Sequence, residues 1–508
     1  MLRILVRVFG TLLLLLLIVI GVGVYLLEDA NRFKPELVAL IETQTGVPVR
    51  IDGDLTWQLL PPLSLSASAI RADHEGTRYQ LDELALDVDL RSIVKTRDFD
   101  RWIIRSLRID GLQMRSGEGA EMSTTKIEYL TLSDFSPGQP SPFTTQLSYQ
   151  TGEQPAIPLT LSGLMTVSAA VDTFTISDGN FTTTDASGVC NLTASSTGKS
   201  VTSAADGLIP LAVWQRYDWM GTCLLDRLTL QEEDFRRVSV ELANTAGNST
   251  TEISIPEFFG GQAKSRIQID TRPTVIAWQV QPELQGVDSL ALMTWLDQRL
   301  QWIAPLAYGG TITMQGNTED ELINSVRATT QFDGGQGQIS IEKIKQPLLA
   351  LAVLFEETDR IERWPDLWDY ERMTGDWQVD GKKHTLKLAL DNLTAAITGT
   401  YDPQADDLDM TINVIFEDQP GMHSFDVNPR LVDVPIPFRC RGTLDDPTCR
   451  IDSAESKRLV AKVLRDAASE ELLTELDATI EEKVPEEFHE VTRSLLDLLG
   501  GKKDRRKD

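Results

Sequence analysis

The sequence predicts a mainly β protein: an elongated, curled antiparallel sheet with an apolar groove, an N-terminal transmembrane helix and C-terminal amphipathic helices. Three observations predict this class. Between residues 46 and 452, apolar and polar residues alternate with a period of two in many segments, as in antiparallel strands with one hydrated face. Residues 8–27 carry no charge. Residues 453–499 repeat apolar side chains every three or four positions, which is typical of amphipathic helices.

The apolar run at residues 8–27 is long enough to cross a bilayer, because a helix of this length rises ~1.5 Å per residue and spans about 30 Å. It ends in Tyr25-Leu-Leu-Glu-Asp without a small-x-small cleavage site, which favours a retained anchor over a cleaved signal peptide. Basic residues precede the run and acidic residues follow it, so we expect residues 1–7 in the cytoplasm and the body outside. These flanking residues are Arg3, Arg7, Glu28 and Asp29.

The body follows a short helix predicted for residues 28–45. In residues 46–452 the alternating segments are separated by turn signals such as Asp380-Gly381. Helical patterns interrupt the strands near 289–305, 318–329 and 346–373. Seven apolar-face residues near the start of the sheet are the candidate groove residues: Leu55, Trp57, Leu84, Leu86, Val88, Leu107 and Ile109. Packing in an ordinary core would produce the same pattern.

The strands occupy about 400 residues without a clear linker. A compact globule of that size usually splits into domains. The alternative is one sheet that grows lengthwise by ~4.8 Å per strand and curls so that its apolar face is turned inward. Few helices are available to cover that face. The sequence pattern alone therefore does not say what covers it.

Several functions find no support in the sequence. The formal charge of −28 repels phosphate backbones, so nucleic acid is not expected as a partner. The four histidines show no zinc-binding spacing and no G-x-S-x-G motif occurs. The many acidic residues fall on the polar face of alternating strands, where solvation explains them. We therefore expect a protein that is not an enzyme and has no cofactor or metal.

The four cysteines form two pairs that are close in sequence, Cys190 with Cys223 and Cys440 with Cys449. Four cysteines allow three connectivities, and the close spacing favours this one. Two disulfides would agree with export to an oxidising compartment. Four buried free thiols are the alternative interpretation.

Several segments, in order along the chain, resemble the AsmA-like proteins of Gram-negative envelopes. The first is Gly46-Val-Pro-Val-Arg-Ile-Asp-Gly-Asp-Leu-Thr-Trp57, which follows the anchor and the short helix. Phe258-Phe-Gly-Gly261 and Gly309-Gly-Thr-Ile-Thr-Met-Gln-Gly316 agree in the middle, and Val434-Pro-Ile-Pro-Phe near the end. The stretch from about residue 117 to 254 departs from the pattern, and no catalytic or ligand motif is carried over.

The resemblance extends to TamB and to bridge-like lipid transfer proteins. It implies a taco-shaped β-sheet with an apolar interior, fixed in the inner membrane and projecting into the periplasm. It further implies that lipid acyl chains cover the apolar face, with phospholipids and the inner membrane as partners. The implied role is phospholipid transport to the outer membrane and maintenance of that membrane, with the seven candidate residues lining the groove.

The alternative function is a non-enzymatic assembly factor for outer-membrane proteins or lipopolysaccharide that does not itself carry lipid. The C-terminus also leaves two interpretations. Residues 453–499 could close the end of the groove with their apolar stripe. Alternatively, these helices and the basic tail at 500–508 could contact an anionic membrane surface, the outer membrane or an envelope protein.

Overall fold

The computed structural model divides the chain into two compact units, Met1–Ser196 with Trp219–Thr229, and Thr197–Asp218 with Leu230–Asp508. The predicted segments 1–7, 8–27, 453–499 and 500–508 lie outside the described residues. The structure describes residues 29–45, 47–58, 63–74, 77–89, 103–116, 123–152, 155–170, 172–198, 207–209, 211–342, 345, 348–349, 361–418, 425–427, 429–444 and 447–451. Within these ranges, no helix combines the length and the apolar character needed to cross a membrane.

The first unit begins with a 3-10 helix, Ala30–Phe33, and the helix α1, Lys34–Thr45. Strands β1 and β2 both pair with β3, and each strand from β3 to β10 pairs antiparallel with the next. The strands are β1 Val49–Ile51, β2 Leu55–Gln58, β3 Leu63–His74, β4 Thr77–Val88, β5 Ile104–Ser116, β6 Ser123–Phe135, β7 Ser141–Thr151, β8 Ile157–Val167, β9 Thr173–Thr183, β10 Ala186–Ser196 and β11 Tyr217–Leu230.

The second unit is also an open antiparallel sheet with few helices. Its helices are α2 Leu211–Arg216, α3 Ser289–Trp295, α4 Glu319–Ser325 and a 3-10 turn Pro429–Leu431. Its strands are β12 Glu233–Phe235, β13 Val238–Thr245, β14 Asn248–Phe258, β15 Gly261–Asp270, β16 Ala277–Asp288, β17 Trp302–Ile303, β18 Pro305–Gln315, β19 Arg327–Ser340, β20 Leu367–Asp380, β21 Lys383–Leu390, β22 Leu393–Asp402, β23 Asp407–Phe416, β24 Ile436–Gly442 and β25 Pro447–Ile451.

From β18 to β25 of this unit, consecutive strands are antiparallel neighbours. The turn predicted at Asp380-Gly381 joins β20 to β21, and Gly381 there has a φ of +58°, a conformation that glycine adopts without steric cost. The prediction of a mainly β protein with open, curled antiparallel sheet and few helices is confirmed.

The predicted helical segments are too long. In the first two segments the helices are α3 and α4, and residue 305 and residues 327–329 already belong to β18 and β19. In the third segment, residues 348–349 and 361–362 are helical as predicted. Residues 367–373, predicted as helix, form the start of β20. Trp368, Tyr370 and Met373 are buried in the sheet, so tertiary packing outweighs the helical spacing of the local sequence.

Both predicted disulfides are confirmed. Cys190 on β10 is bonded to Cys223 on β11, and Cys440 on β24 to Cys449 on β25. The second pair faces each other directly across the β24–β25 ladder. A bond between such neighbours links two adjacent strands and leaves the register of the hairpin unchanged.

Candidate functional site: an apolar groove in the second unit

The second unit contains an apolar groove of about 900 Å³. One row of its wall runs across neighbouring strands through Trp377, Leu386, Ile397 and Ile412, which face one another in register. The adjacent row holds Val379, His384, Met410, Cys440 and Cys449. Because side chains two residues apart on a strand lie on the same face, these rows form one continuous apolar surface.

Helix α4 provides the opposite side of the groove through Leu322 and Ile323. Its start is fixed by a capping box in which Thr318 Oγ1 accepts from the Glu321 N–H at 3.3 Å and Glu321 Oε2 accepts from the Thr318 N–H at 3.2 Å. Glu321 Oε2 also accepts from the Asn317 N–H at 2.7 Å, and this bond is the main cause of the lowered pKa of Glu321. The capping box therefore fixes where the helix starts.

A short segment, residues 207–209, is held beside α4 by one asparagine. The Ile209 N–H donates to Asn317 Oδ1 at 2.8 Å, and Asn317 Nδ2 donates to the Ile209 carbonyl at 3.0 Å. Leu208, between these contacts, lines the groove and is well exposed. An exposed leucine held by paired hydrogen bonds contributes apolar surface to the site rather than to the core.

His384 is a polar group within the apolar wall. Its ring stacks on Trp377 with centroids 5.8 Å apart and meets Tyr401 at 6.2 Å. Burial lowers the pKa of His384 below its ordinary value of 6.5, because a charged imidazole is poorly solvated there. The side chain is therefore neutral at neutral pH and compatible with an apolar ligand.

The disulfide Cys440–Cys449 forms part of the groove wall at the last two strands. Cys440 is buried in a cluster with Leu408 and Met410, against which Ile397 and Tyr401 pack. The bond therefore joins the two strands of the edge hairpin, and the packing of Cys440 against Leu408 and Met410 joins this hairpin to the rest of the wall.

At the opposite ends of the same strands the apolar face is filled. Met373, Leu390, Leu393 and Phe416 are buried. Trp364 and Phe425, which are also buried, pack against Phe416. The Phe425 ring lies 5.1 Å from Trp364 and 5.9 Å from Phe416. We call these six residues the covered core, and the wall through Trp377, Leu386, Ile397 and Ile412 the open groove.

Charged groups line the groove only at the end away from the covered core, which we call the mouth. There Glu319 is on the first turn of α4 and Lys382 follows the β20–β21 turn. Lys382 Nζ donates to Asp402 Oδ2 at 2.6 Å. That hydrogen bond is the largest cause of the lowered pKa of Asp402.

The candidate residues predicted from sequence lie in the first unit, where they fall into cross-strand rows. Leu55, Leu84 and Ile109 form one row through Ala67. Trp57, Leu86 and Leu107 form the next row through Leu65. Val88 faces Leu63 and Ile104. The structure therefore places all seven on one apolar face.

The first of these rows is partly core. Leu55 is only 2% exposed and clusters with Ala30 and Ala67, with Leu37 of α1 packed against them. The Phe33 and Trp57 rings meet at 4.9 Å. Leu86 and Leu107, one row further on, are half-buried. The N-terminal helical segment thus covers the start of the apolar face.

The residues of the open groove were not among the candidates predicted from the sequence. Trp377, Leu386, Ile397 and Ile412 all lie outside the predicted set. Their strands carry the same period-two pattern as many others, so no local signal separates them.

The groove supports binding by apolar contact rather than covalent chemistry. Its volume lies within the range of about 300–1,000 Å³ that is usual for small-molecule sites. Each methylene of a ligand moved from water onto such a surface gains ~0.8 kcal/mol. Within the described ranges, no group of three or more His, Cys, Asp or Glu side chains is arranged to hold a metal ion.

An open antiparallel sheet whose apolar face forms a groove defines a class of protein that can hold an apolar ligand. Residues 1–89 match the model of the AsmA family. This match covers the N-terminal part of the chain and agrees with the resemblance of its sequence motifs to AsmA-like proteins. No curated protein and no solved structure matches it.

Proposed function

We propose that this AsmA-like protein is anchored in the inner membrane, with its body in the periplasm, and holds the acyl chains of phospholipids in an apolar β-groove. In this role it supports phospholipid transport to the outer membrane and maintenance of that membrane, without enzymatic activity. The proposal also includes an elongated sheet. It further includes contacts of the C-terminal helices with the outer membrane or an envelope protein.

The open groove is the observation that carries the proposal. Trp377 is 38% exposed although its ring lies on the apolar face, and the neighbouring wall residues Leu386 and Ile397 are only half-buried. Apolar surface of this extent in water is unfavourable, and contiguous exposed patches usually mark a binding site. AsmA membership and a large antiparallel sheet both fit a role in lipid transport or envelope biogenesis.

The groove suits an acyl chain better than a compact polar ligand. Its wall is built from aliphatic and aromatic side chains of several strands, with charge confined to the mouth. A flexible chain can follow such a surface without specific hydrogen bonds. Ten buried methylenes would gain about 8 kcal/mol before the costs of ordering the chain.

The test is lipid analysis of the full-length protein purified in a mild detergent. Mass spectrometry of the wild type should find co-purified phospholipid. Ile397→Asp places a carboxylate in the groove wall, where burial without a partner costs several kcal/mol, and should reduce bound lipid strongly.

Ala396→Asp is the matched control, because residue 396 is exposed on the opposite face of the same strand. It should retain lipid at the wild-type level. Both variants are checked for folding by circular dichroism and by intact disulfides. A wild type without lipid, or a folded Ile397→Asp that binds as much as the control, would refute the proposal and favour an assembly factor that carries no lipid.

A further inference from the structure

The mouth of the groove differs in charge from its wall. Among the residues that line the groove, Glu319 and Lys382 are charged and His384 is held neutral by burial. The turn that follows β22 borders the mouth through Pro403. A lipid whose acyl chain lies along the open groove therefore places its headgroup near these charges.

Acidic groups outnumber basic ones at this mouth. Lys382 is already paired with Asp402. Asp320 Oδ1 accepts from Gln404 Nε2 at 2.6 Å, and Asp406 Oδ1 accepts from the Leu444 N–H at 3.2 Å. Glu319 has no partner within the described ranges and is exposed.

Two further cations on strands of the groove, Arg327 and Lys383, face away from it. Arg327 precedes the groove residue Ala328 on β19 and pairs with Asp380 at 3.1 Å. Lys383 precedes His384 on β21, so its side chain is on the hydrated face. Among the described residues at the mouth, four acidic side chains therefore accompany one basic group, the ammonium of Lys382; they are Glu319, Asp320, Asp402 and Asp406.

We propose that the groove prefers a phospholipid with a zwitterionic, ammonium-bearing headgroup over an anionic lipid. The headgroup ammonium lies near Glu319, and its phosphate approaches the Lys382 ammonium. An anionic lipid keeps the contact of its phosphate with Lys382 but has no ammonium to place near Glu319, so its net negative charge is opposed by the acidic groups of the mouth. This inference rests on the proposed function, because it describes the polar end of the same ligand.

The experiment measures headgroup selection directly. Full-length protein is equilibrated with vesicles that contain equal amounts of phosphatidylethanolamine and phosphatidylglycerol with identical acyl chains. The protein is then re-isolated, and its bound lipids are quantified by mass spectrometry. We expect phosphatidylethanolamine to be enriched about two- to fivefold, the range of a single exposed charge pair. The enrichment should vanish near 1 M salt, where the Debye length is about 3 Å.

Two variants assign the effect to the mouth. Glu319→Lys should abolish or invert the enrichment, and Glu319→Gln should reduce it with less risk to the start of α4. Asp376→Lys is the matched control, since Asp376 is exposed on the face of β20 opposite Trp377. The control should leave the bound-lipid ratio unchanged.

The outcomes separate this inference from the proposed function. If neither lipid binds, the proposed function fails and the headgroup preference fails with it. If both lipids bind in the vesicle proportion, or Glu319→Lys behaves like Asp376→Lys, the preference is wrong and the groove proposal stands. Preferential uptake of lipopolysaccharide, whose phosphates are anionic, in a parallel competition would also overturn it.

Discussion

The open groove and the covered core are two parts of one apolar face, formed by the same four strands. On β20, Trp377 is 38% exposed, whereas Met373, four residues earlier on the same strand, is 5% exposed. Leu386 and Ile397 are half-buried, but Leu390 and Leu393 on the same strands are buried. Alternation therefore identifies the apolar face of a strand, and a separate structural feature decides whether that face becomes core or groove.

That feature is a cover from distant parts of the chain. Phe425 stacks on Trp368 with centroids 4.0 Å apart. The Phe425 N–H donates to Asn392 Oδ1 at 2.8 Å, and Asn392 Nδ2 donates to the Phe425 carbonyl at 3.2 Å. The buried N–H and carbonyl of Phe425 thus both have hydrogen-bond partners. These bonds hold the Phe425 ring over Phe416.

The largest expected effect is the loss of stability when an aromatic side chain of the covered core is truncated. Phe416 is 1% exposed, so Phe416→Ala should lower the free energy of unfolding by about 3–5 kcal/mol. Ile412→Ala, four residues away in the open groove, should cost less than about 2 kcal/mol because part of the side chain is already in water. Urea unfolding monitored by circular dichroism measures both.

Equal losses for these two variants would mean that the open groove is packed as firmly as the covered core. The comparison should be made on delipidated protein, because a ligand that binds only the folded state adds apparent stability. Ile412→Ala should then lose more in lipid-loaded protein than in delipidated protein.

The first unit offers the same comparison with a smaller expected effect. Leu55→Ala should cost about 2–4 kcal/mol, because Leu55 is buried against Ala30 and Ala67. Leu86→Ala, in the half-buried next row, should cost about 1 kcal/mol. If Leu86→Ala proves the more destabilising in urea unfolding, the N-terminal helical segment is not the main cover of this face.

The disulfide of the groove wall should contribute a little less. The disulfide closes a loop between two cysteines that are nine residues apart. Replacing both by serine should lower the free energy of unfolding by about 2–3 kcal/mol in the chain-entropy model. The double variant should also bind less lipid, because β25 is no longer tied to β24 and two hydroxyls replace apolar sulfur in the groove wall. Unfolding that is unchanged by the substitution would show that strand pairing alone holds this hairpin.

The sequence predicted the β class, the apolar face of most strands and both cysteine pairs, because these depend on local pattern and spacing. It did not predict the site. Phe416 is covered by Trp364 and Phe425, which lie outside its strand, and nothing in the β23 sequence indicates their presence. Tertiary contacts likewise turned residues 367–373 into strand against their helical spacing. Whether apolar surface is filled or open is thus a long-range property.

The smallest expected effect concerns pH and again separates the two regions. Among the residues that the structure describes, the open groove contains a histidine, His384, and the covered core contains none. Burial lowers the pKa of His384, so between its folded value and its ordinary value of about 6.5 the unfolded chain binds more protons than the folded one. The stability associated with neutral His384 is therefore present above about pH 6.5 and is lost as the pH falls through the folded pKa. Asp402, whose pKa is lowered mainly by Lys382, loses its contribution to stability only at lower pH, so it does not affect stability in the range where His384 titrates.

The melting temperature of the wild type should fall between about pH 7 and pH 5 more steeply than that of His384→Phe. A phenyl ring keeps the stack on Trp377 without a titrating group. Parallel slopes for the two proteins would show that water reaches the imidazole freely, and that the groove around it is wetter than its apolar lining indicates.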